Sequence, residues 1–123
     1  MSTEKVCQGG STLIFACSGA ADVGAVADQA ARRLTQKGVG QMFCLAGVGG
    51  DVAPIMERTR SASGILAIDG CSLDCVKKTL EQAGITQFQH LRVTDLCLEK
   101  GKSPVTPERV EVVVTQARAM LQS

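Results

Sequence analysis

Gly64-Ile65-Leu66-Ala67-Ile68 is followed by Asp69-Gly70-Cys71 and then by residues 72–83. The first five form a continuous apolar run with the length of a strand buried on both faces. In residues 72–83, Leu73, Val76, Leu80 and Ala83 recur at helical spacing, and Gly84 stands where a helix stops. A buried strand that turns directly into a helix is the repeating unit of a parallel α/β sheet.

The same unit recurs along the chain. Residues 11–16 predict a short buried strand. Residues 22–37 predict a helix with Val23, Val26, Ala30 and Leu34 on one face and Gly38 as its stop. Residues 41–45 predict a second strand. Asp51 is placed to cap a short helix reaching about Arg60, with Pro54 in its first turn. Residues 87–93 are more polar and predict an edge strand. After a polar loop, Thr106 as N-cap, Pro107 and Glu108 open a last helix with Val110, Val113, Val114, Ala117 and Leu121 as its buried stripe. The alternation predicts a three-layer, Rossmann-like α/β sandwich formed by residues 1–123 as one domain. Its mostly parallel four-stranded sheet takes the order 2-1-3-4 under right-handed crossovers. Ligands in such sheets bind at the carboxyl ends of the strands, here where the first and third diverge.

Hydrophobic residues make up 45% of the 123 residues and charged ones 20%, a globular balance. Thirteen basic and twelve acidic side chains leave a net charge of +1, and aromatic residues amount to 2%. That balance gives no electrostatic or stacking surface for nucleic acid. No apolar run approaches the roughly 20 residues of a membrane span. Met1 to Lys5 are polar, unlike the core of a signal peptide. The expectation is a cytoplasmic protein with no nucleic-acid or membrane partner. A homo-oligomer or a protein partner stays open.

Six cysteines stand out against this background. In a reducing compartment such a content points to metal binding or thiol chemistry before disulfides. Cys17 follows the first predicted strand, Cys44 ends the second, and Cys71 follows the third. Neighbouring strands lie roughly 5 Å apart, so three thiols reach one edge of the sheet. Cys75 lies one helical turn beyond Cys71. Four thiolates in a tetrahedron are what a structural zinc takes, and the same set suits an iron–sulfur cluster as the alternative. Cys97 lies in the loop after the fourth strand, where a spare ligand, a resolving thiol or a packed side chain would fit. Cys7 precedes a Gln-Gly-Gly segment and reads as a packed small residue.

The segment Asp69-Gly70-Cys71-Ser72-Leu73-Asp74-Cys75 resembles the signature of the DGC-domain family, a family of proposed zinc-binding proteins. Cys17-Ser18-Gly19-Ala20-Ala21-Asp22-Val23-Gly24 and Cys44-Leu45-Ala46-Gly47-Val48-Gly49-Gly50 are similar to its first and second cysteine loops. Thr94-Asp95-Leu96 and Lys100 fit its later segment, so the resemblance spans residues 13–102. It implies a compact α/β domain with Cys17, Cys44, Cys71 and Cys75 as zinc ligands. It brings no activity, and it leaves open whether the chain is an enzyme. Position 97 departs from the family in carrying Cys, a fifth sulfur near the site.

Other chemistry is less well supported. The glycine-rich stretch 46–51 has Val52 where a GxGxxG fingerprint needs Gly and lacks a P-loop Lys-Ser/Thr pair, so it reads as a tight turn. A phosphatase-like loop at Cys17 would need Arg at position 23, which is Val. No CxxC pair is present. His90, the only histidine, reads as a strand residue with a satisfied polar group. Asp69 reads as an acceptor for backbone N–H groups in the strand-to-helix turn. Lys77 and Lys78 read as solvated, with one of them offsetting the charge of a zinc–thiolate centre. Two further readings remain: a thiol-based redox, sulfur- or metal-handling carrier or enzyme using a reactive cysteine at the same site, and an interaction module held in shape by the metal.

Overall fold

The computed structural model describes residues 11–122; Cys7 lies outside them. The elements are β1 (Thr12–Ala16), α1 (Asp22–Gln36), β2 (Gln41–Met42), α2 (Leu45–Gly49), α3 (Ala53–Arg60), β3 (Gly64–Asp69), α4 (Cys75–Gln82), β4 (Gln89–Arg92) and α5 (Pro107–Gln122), with a 3₁₀ turn at Val93–Leu96. The four strands are all parallel in the order β2-β1-β3-β4, as the crossover argument requires.

Alternation along the strands divides the core into two layers. Ile14, Ala16, Leu66, Ile68 and Leu91 face α1 and α5 and pack on Val26, Ala30, Val113 and Ala117. Leu13, Phe15, Ile65 and Ala67 face the other way, onto Val48, Met56, Val76 and Leu80 of α2, α3 and α4. Helices therefore cover both faces of the sheet, giving three layers. The last helix begins as its sequence predicts, with Thr106 Oγ1 accepting the Arg109 N–H at 3.1 Å.

Four local expectations are corrected. The second strand stops at Met42, after which the Phe43 N–H still donates to Ile14 O. The chain then enters α2, so the glycine-rich stretch is mostly helix rather than turn. Asp51 does not cap the next helix; it takes a left-handed φ of 55°, and Val52 is the N-cap of α3. The helix expected from Ser72 starts at Cys75, because Asp74 occupies the left-handed region (φ 55°, ψ 48°). Leu73 is consequently exposed, not part of the buried stripe.

Candidate functional site at the carboxyl edge

The end of β3 is held tightly against α1. A Cβ on Gly70 would come within 2.8 Å of the Gly24 backbone nitrogen and 2.9 Å of the Val23 carbonyl carbon, so only glycine fits there. Beside it, Cys17 donates its backbone N–H to Ile68 O at 2.9 Å and extends the β1–β3 ladder by one bond. Cys17 and Cys71 are half-buried and Cys75 is exposed. The Cys75 thiol is pushed up from the usual thiol range. Partial burial is the largest cause, followed by the charges of Cys17, Asp69 and Cys71, with Lys78 opposing. Cys17, Cys71 and Cys75 thus share one electrostatic site where β1 and β3 diverge.

Cys44 is placed differently. It is the N-cap of α2, and its Sγ accepts the Gly47 N–H at 3.3 Å. Cys44 lines a cleft of about 770 Å³ with Ser18, Asp28 and Arg32, a lining that includes none of the other three cysteines. Among the described residues no three sulfurs lie within 4.8 Å of one another. Zinc–sulfur bonds of about 2.3 Å put tetrahedral sulfurs roughly 3.8 Å apart. The donor set therefore suits a thiophilic cation in kind, while its sulfurs stand further apart than in a closed tetrahedron.

The charge offset expected from Lys77 or Lys78 comes from two places. Lys78 acts on Cys75, and Lys100 places Nζ 3.7 Å from Cys71 Sγ. Asp22 fixes the loop that carries Lys100. One carboxylate oxygen accepts the Gly101 N–H at 2.9 Å and the other accepts the Ser103 N–H at 3.0 Å. These bonds, led by Gly101, hold the Asp22 carboxyl below its usual range. Sequence reasoning missed this clamp. Its only local signal is an aspartate opening α1, which reads as an ordinary helix-start residue. Cys97 sits at the end of the 3₁₀ turn with φ 66° and is exposed, so it is not a packed side chain.

Asp69, Asp74 and His90 form the one group of three potential ligand residues within 4.8 Å of one another among the described residues. Their hydrogen bonds show what the group does. Asp69 is 1% exposed and accepts the Val76 N–H at 2.7 Å and the Lys77 N–H at 3.1 Å, as expected of it. His90 Nε2 lies 2.8 Å from the same carboxylate, which satisfies its ring as the sequence suggested. Arg92 grips Asp74 through Nε at 2.9 Å and an Nη nitrogen at 2.7 Å. That guanidinium already supplies the cation and, despite the cost of burial, holds the Asp74 carboxyl below its usual range. The network fixes the turn between Cys71 and Cys75.

A sheet with thiols at its topological switch point, and a D-G-C turn anchored by its own aspartate, define the class. The DGC domain matches residues 13–117, and the chain belongs to the DGC-domain family. It is 42% identical over 88 residues to the anaerobic and virulence modulator AnvM of Pseudomonas aeruginosa strain PAO1, an alignment covering 72% of this chain and 67% of that protein. No solved structure matches the chain. Among the described residues no helix is long and apolar enough to cross a membrane.

Proposed function

We propose that this chain is a cytoplasmic metal-binding protein that holds one zinc ion through Cys17, Cys71 and Cys75, with Cys44 as the fourth ligand. One observation carries the reading: at the switch point, charge at Cys17 and Cys71, after β1 and β3, opposes ionisation of the Cys75 thiol at the start of α4. A soft divalent cation relieves that opposition by taking the thiols as thiolates. Lys100 and Lys78 offset the charge that results. Cys44 must leave its cap position to close the set. Zinc would supply a structural cross-link between the two central strands and α4. The role we assign is modulatory rather than catalytic, in line with the name carried by the Pseudomonas relative.

The test is competition for zinc between the reduced full-length chain and a chromophoric chelator, with free thiols counted before and after. We expect about one zinc per chain and about four thiols protected, as a four-cysteine site requires. Cys17→Ser, Cys71→Ser and Cys75→Ser should each weaken binding by more than about tenfold, the loss already seen when a residue that merely supports a ligand is changed. Full stoichiometry and affinity in Cys71→Ser would overturn the assignment. Iron with matching sulfide in anaerobically purified protein would replace zinc by a cluster on the same residues. A second reading, thiol chemistry at Cys71, is favoured by the ammonium of Lys100 beside its sulfur.

A further inference from the structure

The cleft beside the thiols has an occupant chemistry of its own. It lies between α1 and the β2–α2 segment, at the carboxyl ends of β1 and β2, and its volume of about 770 Å³ is that of a small-molecule site. Met42, Phe43 and Leu45 give it an apolar wall, and Cys44 stands among them in the lining. Across from them, Arg32 is tethered to Asp28 through Nε at 2.8 Å, while Ser18 Oγ donates to the other Asp28 oxygen at 2.7 Å. The tether leaves the Nη edge of the guanidinium, the edge that takes a carboxylate. An exposed cysteine, an apolar wall and an arginine tethered through its Nε line one cavity.

We propose that this cleft binds a low-molecular-weight thiol bearing a carboxylate, and that in its disulfide form the ligand exchanges with Cys44. The carboxylate sits on Arg32 and the stem on the apolar wall. The Cys44 thiolate attacks one ligand sulfur, the ligand's S–S bond breaks, a mixed disulfide forms on Cys44, and the second half leaves as a thiolate that takes a proton from water. Cys44 is oxidised and the small disulfide is reduced, so no further oxidant enters. The site needs no metal, and its modification withdraws Cys44 from the proposed zinc set.

Gly49 supplies a clean control. A Cβ there meets only the Thr79 Cγ2, at 3.7 Å, so a side chain can start from this lining residue, and Gly49→Leu is chosen to narrow the cleft. The reduced full-length chain is treated in parallel with oxidised glutathione, which is anionic, and cystamine, which is cationic. Adducts on each cysteine are followed by peptide mapping, with exposed Cys97 as the internal reference. Relative to Cys97, Cys44 should prefer the anionic disulfide. Arg32→Gln should reduce that preference about fivefold, the weight of one partly exposed ion pair. Gly49→Leu should slow glutathione addition to Cys44 while leaving alkylation by the smaller iodoacetamide unchanged. Equal preferences at Cys44 and Cys97, or preferences and rates indifferent to both variants, would overturn the proposal. Zinc competition on Arg32→Gln keeps the two readings apart, because Arg32 lines the cleft and is not among the proposed zinc ligands.

Discussion

At the scale of single residues, Asp69 does the most for its size. Its carboxylate ends a buried strand, yet it accepts two backbone N–H groups from the first turn of α4 and faces the His90 ring. Negative charge at a helix N-terminus is favourable, and here it also satisfies donors that have no partner within the helix. Asparagine keeps the shape but turns an N–H₂ toward one of those donors. Asp69→Asn should therefore cost about 2–3 kcal/mol in urea unfolding, the penalty of a buried donor left without an acceptor. A loss smaller than about 0.5 kcal/mol, typical of a surface change, would show that the turn does not depend on this carboxylate. The role was legible because an acid directly after an apolar strand and before a helix has few other uses. Arg92 was not, since its partner lies on a different element and nothing local links the two.

At the scale of elements, what the sequence disclosed tracks how far each element depends on distant contacts. β1 and β3 announce themselves as apolar runs, and α1 and α5 by periodicity. α2 stayed hidden because Gly47 and Gly49 are poor helix formers and because its cap is a cysteine sulfur rather than the usual oxygen. The first turn expected of α4 is absent because Arg92 holds Asp74 in a left-handed conformation that local propensity disfavours. Cys17, Cys44 and Cys71 were legible as strand-end residues and Cys75 as a helix residue after Cys71, but side-chain direction was not: Cys44 turns to cap its own helix. The loop carrying Lys100 depends on α1 in the same nonlocal way. Asp22→Ala should remove the hydrogen-exchange protection of the Gly101 and Ser103 amides while leaving the amides of β1 and β3 protected. Unchanged protection of the two loop amides would mean that the loop is held by something other than Asp22.

At the scale of the whole molecule, the carboxylates join segments that the sheet alone does not. Asp22 joins α1 to the loop after the 3₁₀ turn, Asp28 joins α1 to the residue after Cys17, and Asp74 joins the D-G-C turn to β4. Each carboxyl is held below its ordinary value of 3.8. For Asp22 the Gly101 N–H is the largest influence. For Asp28 burial opposes the shift but the Arg32 and Ser18 hydrogen bonds outweigh it, and for Asp74 the Arg92 hydrogen bond leads. A carboxyl whose pKa falls on folding binds fewer protons in the folded chain than in the unfolded one. Its contribution is therefore complete above the unfolded value and disappears as the pH drops through the folded one. The urea midpoint of the metal-free chain should stay level from neutral pH down to about pH 5 and then fall steadily below it. Asp74→Asn should start from a lower midpoint at neutral pH and lose less on acidification. If that variant instead declined in parallel with the parent chain, the acid sensitivity would lie in other groups, and the Arg92–Asp74 pair would be a packing contact rather than an electrostatic lock between the turn and the sheet.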